Sequence, residues 1–106
     1  MAKQRRIFTV TTPLGYRVTL TRDRWHQIIR FKHPAINNHQ GDVKKCLQSP
    51  DVVRASAKDP SVHVYYRKMG SRYVTTVVAG DGDADRFVVT AYFTRRVKKG
   101  DELWKN

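Results

Sequence analysis

The spacing of apolar and polar residues changes near the middle of the chain. In the first half, two β-branched runs, 7–11 and 16–21, flank a Pro-Leu-Gly turn and predict a hairpin. Apolar residues then recur at helical spacing over 22–33, ahead of Pro34, and again over 41–48. This half of the sequence therefore predicts a hairpin followed by two helices.

In the second half, apolar and polar residues alternate with the period of a β-strand. The strand candidates are 52–57, 62–68, 73–79 and 86–94. Their separators are rich in Pro, Gly, Asp and Ser, and such short turns indicate an antiparallel meander. The whole pattern predicts an α+β domain in which an N-terminal hairpin and two helices precede a four-stranded antiparallel sheet.

The first predicted helix has an apolar side and a polar side. Its packing side consists of Trp25, Ile28 and Ile29, with Phe31 beside them. His26, Arg30 and His33 follow one another at i, i+4 and i+7, which places them on one face of an α-helix. Such a row is able to bind or cleave a phosphodiester, or it is the solvated side of a surface helix. Both interpretations stay open at this point.

Alternation also separates the two faces of the predicted sheet. Thr90 and Tyr92 belong to the more polar set of the last strand. The two sets of the second strand are His63, Tyr65 and Arg67 on one face, and Val62, Val64 and Tyr66, followed by Lys68, on the other. Helices are expected to cover the most apolar face, so the open face should show Thr90, Tyr92 and one of these two sets. Rings stack on bases and cations hold phosphates, so such a face suits RNA.

Charge is the strongest signal in the composition. Lys and Arg number 21 against 9 Asp and Glu, which gives a formal net charge of +12. An excess of this size in 106 residues attracts polyanions, so RNA is the predicted partner and an acidic protein is compatible with the same surface. The length predicts one domain over 1–106, with basic, partly flexible ends at 1–6 and 95–106.

Neither a membrane segment nor a cofactor motif is expected. Apolar runs stay well below the roughly 18 residues that a bilayer requires, and the first ten residues lack a signal-peptide pattern. We therefore expect a cytoplasmic site of action, with delivery inside a larger polypeptide left open. Cys46 and the scattered histidines form no zinc pattern, and the acidic stretch 81–85 lacks the remaining ligands of a calcium loop. Cys46 instead belongs to the apolar side of the second helix.

Several stretches between Thr19 and Trp104 make up a wider pattern. They are the Trp-His and His-Pro ends of 25–34, the helix stop 47–51, and the strand segments 64–67, 73–78 and 88–92. This pattern resembles the phage-associated barnase–EndoU–colicin–RelE-like nucleases, which are small RNase domains of phage-derived and polymorphic toxin proteins. The resemblance implies two helices before a four-stranded antiparallel sheet, and a site made by the first helix and the sheet. The matching site positions are His33, Thr90 and Tyr92, then Tyr65 or Tyr66 and Arg67.

The residue types fit RNA cleavage by acid/base transesterification without a metal ion. Histidine is the natural acid or base because its ordinary pKa lies near 6.5. We predict His33 and His26 as the acid/base pair, and Thr90 and Tyr92 as positioning groups. Either Arg30 or Arg54 would hold the phosphate, because a guanidinium makes paired contacts to phosphate oxygens.

Further basic and aromatic residues are predicted to bind nucleic acid. They are Arg54, Lys58, Tyr65, Arg67, Arg95, Arg96, Lys98 and Lys99. The leading hypothesis is a toxin-like endoribonuclease with an acidic immunity or antitoxin protein as its partner. The alternative is a non-catalytic RNA- or DNA-binding module, phage- or virion-associated, that uses the same basic surface.

Overall fold

Seven strands form one sheet in the computed structural model, which describes residues 5–80 and 85–106. The strands are β1 (Arg6–Thr11), β2 (Arg17–Thr21), β3 (Val52–Ala55), β4 (His63–Met69), β5 (Arg72–Ala79), β6 (Asp85–Thr94) and β7 (Glu102–Lys105). The helical segments are α1 (Arg22–Gln27), a π-helical turn (Ile28–Lys32), a 3-10 turn (Pro34–Ile36) and α2 (Gln40–Gln48). Among these helices, none has the length and apolar character needed to cross a membrane.

The strand order is β1-β2-β6-β5-β4-β3-β7, and the prediction of a four-stranded antiparallel sheet is wrong. β3 to β6 do form an antiparallel meander, but the sheet is extended on both sides. The N-terminal hairpin joins it because β2 runs parallel to the start of β6, where Arg17 forms an ion pair with Asp85 at 2.9 Å. At the other edge, β7 pairs with β3. The sheet is therefore mixed, and residues from the basic C-terminal end are part of it.

The first helix does not continue as an α-helix to Pro34. The Thr21 hydroxyl caps its first turn by accepting from the backbone N–H of Arg24 at 3.3 Å. After Gln27 the backbone widens into a π-turn, in which His33 N–H donates to the Ile28 carbonyl five residues earlier at 2.7 Å. His33 itself has φ −140° and ψ 77°, outside the helical region. The expected single face of His26, Arg30 and His33 is therefore wrong, since it required α-helical geometry throughout.

The core lies between the helices and one face of the sheet. Its fully buried members include Val18, Leu20, Ile28, Ile36, Val43, Cys46, Leu47, Val53, Tyr65, Val74, Val78, Val88 and Ala91. Trp25 is only 3% exposed and anchors α1 to this core. Burial also raises the pKa of the Cys46 thiol to about 12, so this cysteine is a core residue that stays protonated at neutral pH. Phe31 is 79% exposed, although its neighbours suggested a packing role.

Tyr65 belongs to a buried polar network inside this core. Its hydroxyl lies 2.8 Å from the Thr12 hydroxyl and 2.5 Å from the Tyr16 hydroxyl. Tyr16 in turn bonds to Nδ1 of His63 at 2.7 Å, and the guanidinium of Arg86 lies over the Tyr16 ring. A buried hydroxyl without a partner is costly, so this network satisfies the polar ends of two core tyrosines.

Candidate active site and nucleic-acid interface

The sheet face opposite the helices, the open face, presents a row of hydroxyl-bearing side chains. Strand register places Tyr66 of β4 opposite Thr75 of β5, and Thr75 opposite Tyr92 of β6. Alternation puts Tyr65 on the helix-covered side and Tyr66 on the open side. Of the two sets that sequence alternation offered, the Tyr66/Lys68 set is therefore the one beside Tyr92.

His33 reaches this face at the edge of β6. β2 pairs with Asp85 to Phe87, and the helical segment runs beside the rest of β6. The His33 ring lies 4.9 Å from the Tyr92 ring, centroid to centroid, with the planes 33° apart. Burial, followed by the positive charge of Lys32, lowers the pKa of His33 below its ordinary value of 6.5. His33 is therefore mostly neutral at pH 7, with a free nitrogen lone pair that accepts a proton.

Residues 95–101, the basic strap, connect β6 to β7 and cross the open face. The backbone N–H of Lys98 donates to the Tyr66 hydroxyl at 3.2 Å, and the Lys98 ammonium lies 5.8 Å from the Tyr92 ring centroid. Arg54 Nη1 donates to the Lys98 carbonyl at 3.0 Å. These contacts hold the strap against β3 and β4 and place the Lys98 ammonium near Tyr92.

The hydroxyl groups near Tyr92 differ in their bonding. Burial raises the pKa values of Tyr66 and Tyr92, so both phenols keep their protons at neutral pH. The Oγ1 atoms of Thr75 and Thr90 are buried and lack a hydrogen-bond partner among the described residues. Thr90 lies on the same face as Tyr92, two residues before it on β6. The site thus offers two protonated phenols, with two threonine hydroxyls buried beside them.

Several sequence-predicted residues come together on or near the open face. His33, Thr90 and Tyr92 share one end of it, while Arg54, Lys58, Lys98 and Lys99 line a cavity beside Tyr66. Arg95 and Arg96 are exposed at the start of the strap.

Other predicted residues lie elsewhere. His26 and Arg30 are exposed on the helical segment that precedes His33. Tyr65 is fully buried in the core, so it is not available to bind nucleic acid as predicted. Arg67 lies on the helix-covered side, where its Nη1 donates to the Ser49 carbonyl at 2.6 Å. The sequence left both faces of β4 open, and the burial of Tyr65 leaves Tyr66 as the tyrosine of the open face.

Sequence reasoning missed Thr75 and did not choose Tyr66 over Tyr65. Both tyrosines are adjacent in one strand, and their relative roles depend on which face the helices cover. Val53, Val74 and Val78 lie on the face that the helices cover, and Tyr65 lies on the same face because it pairs with Val53. This could be deduced only from the strand register, which the sequence does not give.

Metal-binding geometry was not found in the described ranges, where no three His, Cys, Asp or Glu side chains are close enough to share an ion. The acidic stretch 81–85, rejected above as a calcium loop, has four of its five residues outside the described part of the chain. Comparisons of this sequence and structure with protein-family models, curated proteins and solved structures found no match.

Proposed function

We propose that this chain is an endoribonuclease that cleaves RNA by acid/base transesterification on the open face. The observation that carries the proposal is the convergence of an imidazole, a phenol and an ammonium at one end of the sheet. His33 packs against the Tyr92 ring at 4.9 Å, and the Lys98 ammonium approaches that ring at 5.8 Å. These three groups supply the base, the acid and the cation that the reaction requires.

His33 is the proposed general base. Its lowered pKa favours the neutral ring, which removes the proton from the ribose 2′-hydroxyl. The 2′-oxygen then attacks phosphorus, and the bond from phosphorus to the 5′-oxygen breaks. The products are a 2′,3′-cyclic phosphate and a free 5′-hydroxyl, so the reaction consumes no water in this step.

Tyr92 is the proposed general acid, in place of the sequence-predicted His26. Its raised pKa keeps the phenol protonated, and an alkoxide leaving group is a much stronger base than a phenolate. Lys98 would stabilise the negative charge that grows on the phosphorane oxygens. Thr90 lies on the same face two residues before Tyr92 and is proposed to support the position of Tyr92 rather than to contact RNA, because its Oγ1 is buried.

The net charge of +12 supports an acidic protein as a second partner, in addition to RNA. An inhibitor with many carboxylates would bind the basic strap and occupy the face that RNA uses. With RNA as the substrate, we propose a cytoplasmic site of action. The resemblance to phage-associated nuclease toxins implies the same kind of partner.

A non-catalytic RNA- or DNA-binding module is the second candidate function. The observation that favours it is the basic strap, whose Arg95, Arg96, Lys98 and Lys99 bind phosphates without any chemistry. This alternative predicts tight binding of RNA that remains intact.

Incubation of the purified protein with RNA in excess chelator tests the proposal. We expect fragments with 2′,3′-cyclic phosphate and 5′-hydroxyl ends, identified by mass spectrometry. The double variant His33→Ala/Tyr92→Phe, purified in the same way, controls for contaminating host ribonuclease. Intact RNA with the wild-type protein, or identical cleavage by the double variant, would contradict the proposed function.

The pH dependence of cleavage should respond to the charge of Lys32. Because a base must be neutral to act, kcat/KM should rise with pH and level off above the pKa of His33, which lies below 6.5. Lys32→Gln removes a positive charge that lowers this pKa, so the midpoint of the rise should move to higher pH. A pH–rate profile measures the midpoint, and Lys44→Gln on α2 is the control. An unchanged midpoint in Lys32→Gln would argue against His33 as the titrating base.

A further inference from the structure

A cavity of about 290 Å³ lies beside Tyr66, between the basic strap and strands β3 and β4. Its polar lining comprises Arg54, Ser56, Lys58, Tyr66, Lys98 and Lys99. Four of these residues are cationic, and none of the lining residues is acidic. Like charges gathered around a concave surface repel one another, and an anion bound in the cavity would reduce this repulsion.

Two hydrogen bonds between lining residues fix the shape of the cavity. Arg54 is fixed by the bond from Nη1 to the Lys98 carbonyl at 3.0 Å, and Tyr66 by the bond from the Lys98 N–H at 3.2 Å. Arg54 Nε is buried and has no acceptor within the described residues. A guanidinium held by one nitrogen keeps its planar orientation, which favours directed contacts to phosphate oxygens.

The cavity lies on the same face as the His33–Tyr92 pair, and Lys98 contributes to both. Tyr66 and Tyr92 occupy one cross-strand row with β5 between them. Strands are spaced by about 4.8 Å, so the backbones at these two positions are roughly 10 Å apart. A single-stranded RNA therefore needs only a few nucleotides to reach from one position to the other.

We propose that the cavity is a second phosphate subsite for single-stranded RNA. It holds one backbone phosphate a few nucleotides from the bond that is cleaved, and so sets the position of the strand on the sheet. The choice of RNA as ligand rests on the proposed function. Lys58 and Lys99 reach the phosphate as mobile cations, while Arg54 is the oriented donor.

Binding of a single-stranded 2′-O-methyl oligonucleotide tests this subsite without any cleavage, because the attacking 2′-hydroxyl is blocked. Each phosphate is replaced in turn by a neutral methylphosphonate, and Kd is measured by fluorescence anisotropy. For the wild-type protein we expect a position a few nucleotides from the scissile phosphate to weaken binding by about 10-fold, the effect of losing one charge-assisted contact. The variant Lys58→Gln/Lys99→Gln should bind the unmodified strand more weakly and should lose this sensitivity at that position.

The matched control is Lys44→Gln/Lys45→Gln, which removes the same charge from the exposed side of α2. This control should keep the wild-type response to the methylphosphonate. All four lysines are exposed, so the variants are expected to fold, and circular dichroism verifies it. The subsite is overturned if every position responds equally, or if both double variants lose the selective response.

The outcome is distinguishable from that of the cleavage assay. A selective phosphate position with a protein that leaves RNA intact supports the subsite and contradicts the proposed nuclease. Cleavage combined with a uniform methylphosphonate response supports the nuclease and contradicts the subsite.

Discussion

His33→Ala is expected to lower the rate of RNA cleavage by at least about 100-fold while the domain stays folded, since a well-placed proton-transfer group contributes about 10²- to 10⁴-fold. The His33 ring contacts Tyr92 on the open face and lies outside the hydrophobic core. Its removal therefore eliminates the proposed base without creating a core cavity. Initial rates on a short RNA in chelator, with a thermal unfolding curve for each protein, measure both parts of this prediction.

Two further histidine variants sharpen the result. His39→Ala is the matched control, because His39 packs edge-on against Phe93 and pairs with Asp42 on the helix-covered side. It should cleave RNA at the wild-type rate. His26→Ala separates the sequence-predicted pair from the site around Tyr92, since His26 is exposed and distinct from that ring pair. A loss of rate in His26→Ala with none in His33→Ala would reverse the proposed assignment.

Trp25→Ala should lower the free energy of unfolding by about 3–5 kcal/mol, as is typical when a buried aromatic residue is truncated to alanine. The free energy of unfolding of a native protein is only about 5–15 kcal/mol, so this loss is a large fraction of it. Trp25 is 3% exposed and packs from α1 into the core. The variant should lower Tm by more than about 10 °C, measured by circular dichroism because the mutation removes a fluorophore.

Phe31→Ala is the matched control for this stability prediction. Phe31 belongs to the π-turn that follows α1 and is 79% exposed, so its truncation removes little buried surface. We expect a change within about 0.5 kcal/mol, the usual range for surface positions. Equal losses in Trp25→Ala and Phe31→Ala would contradict the prediction, because they would mean that the two rings are buried to the same extent.

The strand positions were well predicted because they depend on local features. Alternation and turn residues indicated 52–57 and 62–68, which the structure has as Val52–Ala55 and His63–Met69. The hairpin also forms, with Gly15 at φ 96° in its turn, a conformation that side-chain-bearing residues rarely adopt. These elements are specified by residues that are neighbours in the chain.

The arrangement of the sheet was not predictable in the same way. The parallel pairing of β2 with β6 joins residues almost seventy positions apart, and β7 has only four residues. Neither pairing leaves a periodic signal in the sequence, because both depend on the turns and helices that bring the strands together. For this reason the predicted sheet lacked three strands.

Part of the candidate site was predictable and part was not. The sequence and the resemblance together selected His33, Thr90 and Tyr92, which the structure brings to one end of the open face. They also selected Tyr65, which the core covers. Tyr65 and Tyr66 are adjacent in β4 and therefore point to opposite faces of the sheet. Period-two alternation alone does not say which of the two faces the helices cover.

By itself, the sequence determined the charge, the number of candidate groups and the location of most strands, since these follow from composition and local spacing. Tertiary structure alone decided that His33 leaves the helix through a π-turn and meets Tyr92, and that the basic strap crosses beside Tyr66. The physical reason is that both contacts join separate elements through backbone geometry and packing. Neither is encoded in the spacing of residues along one segment.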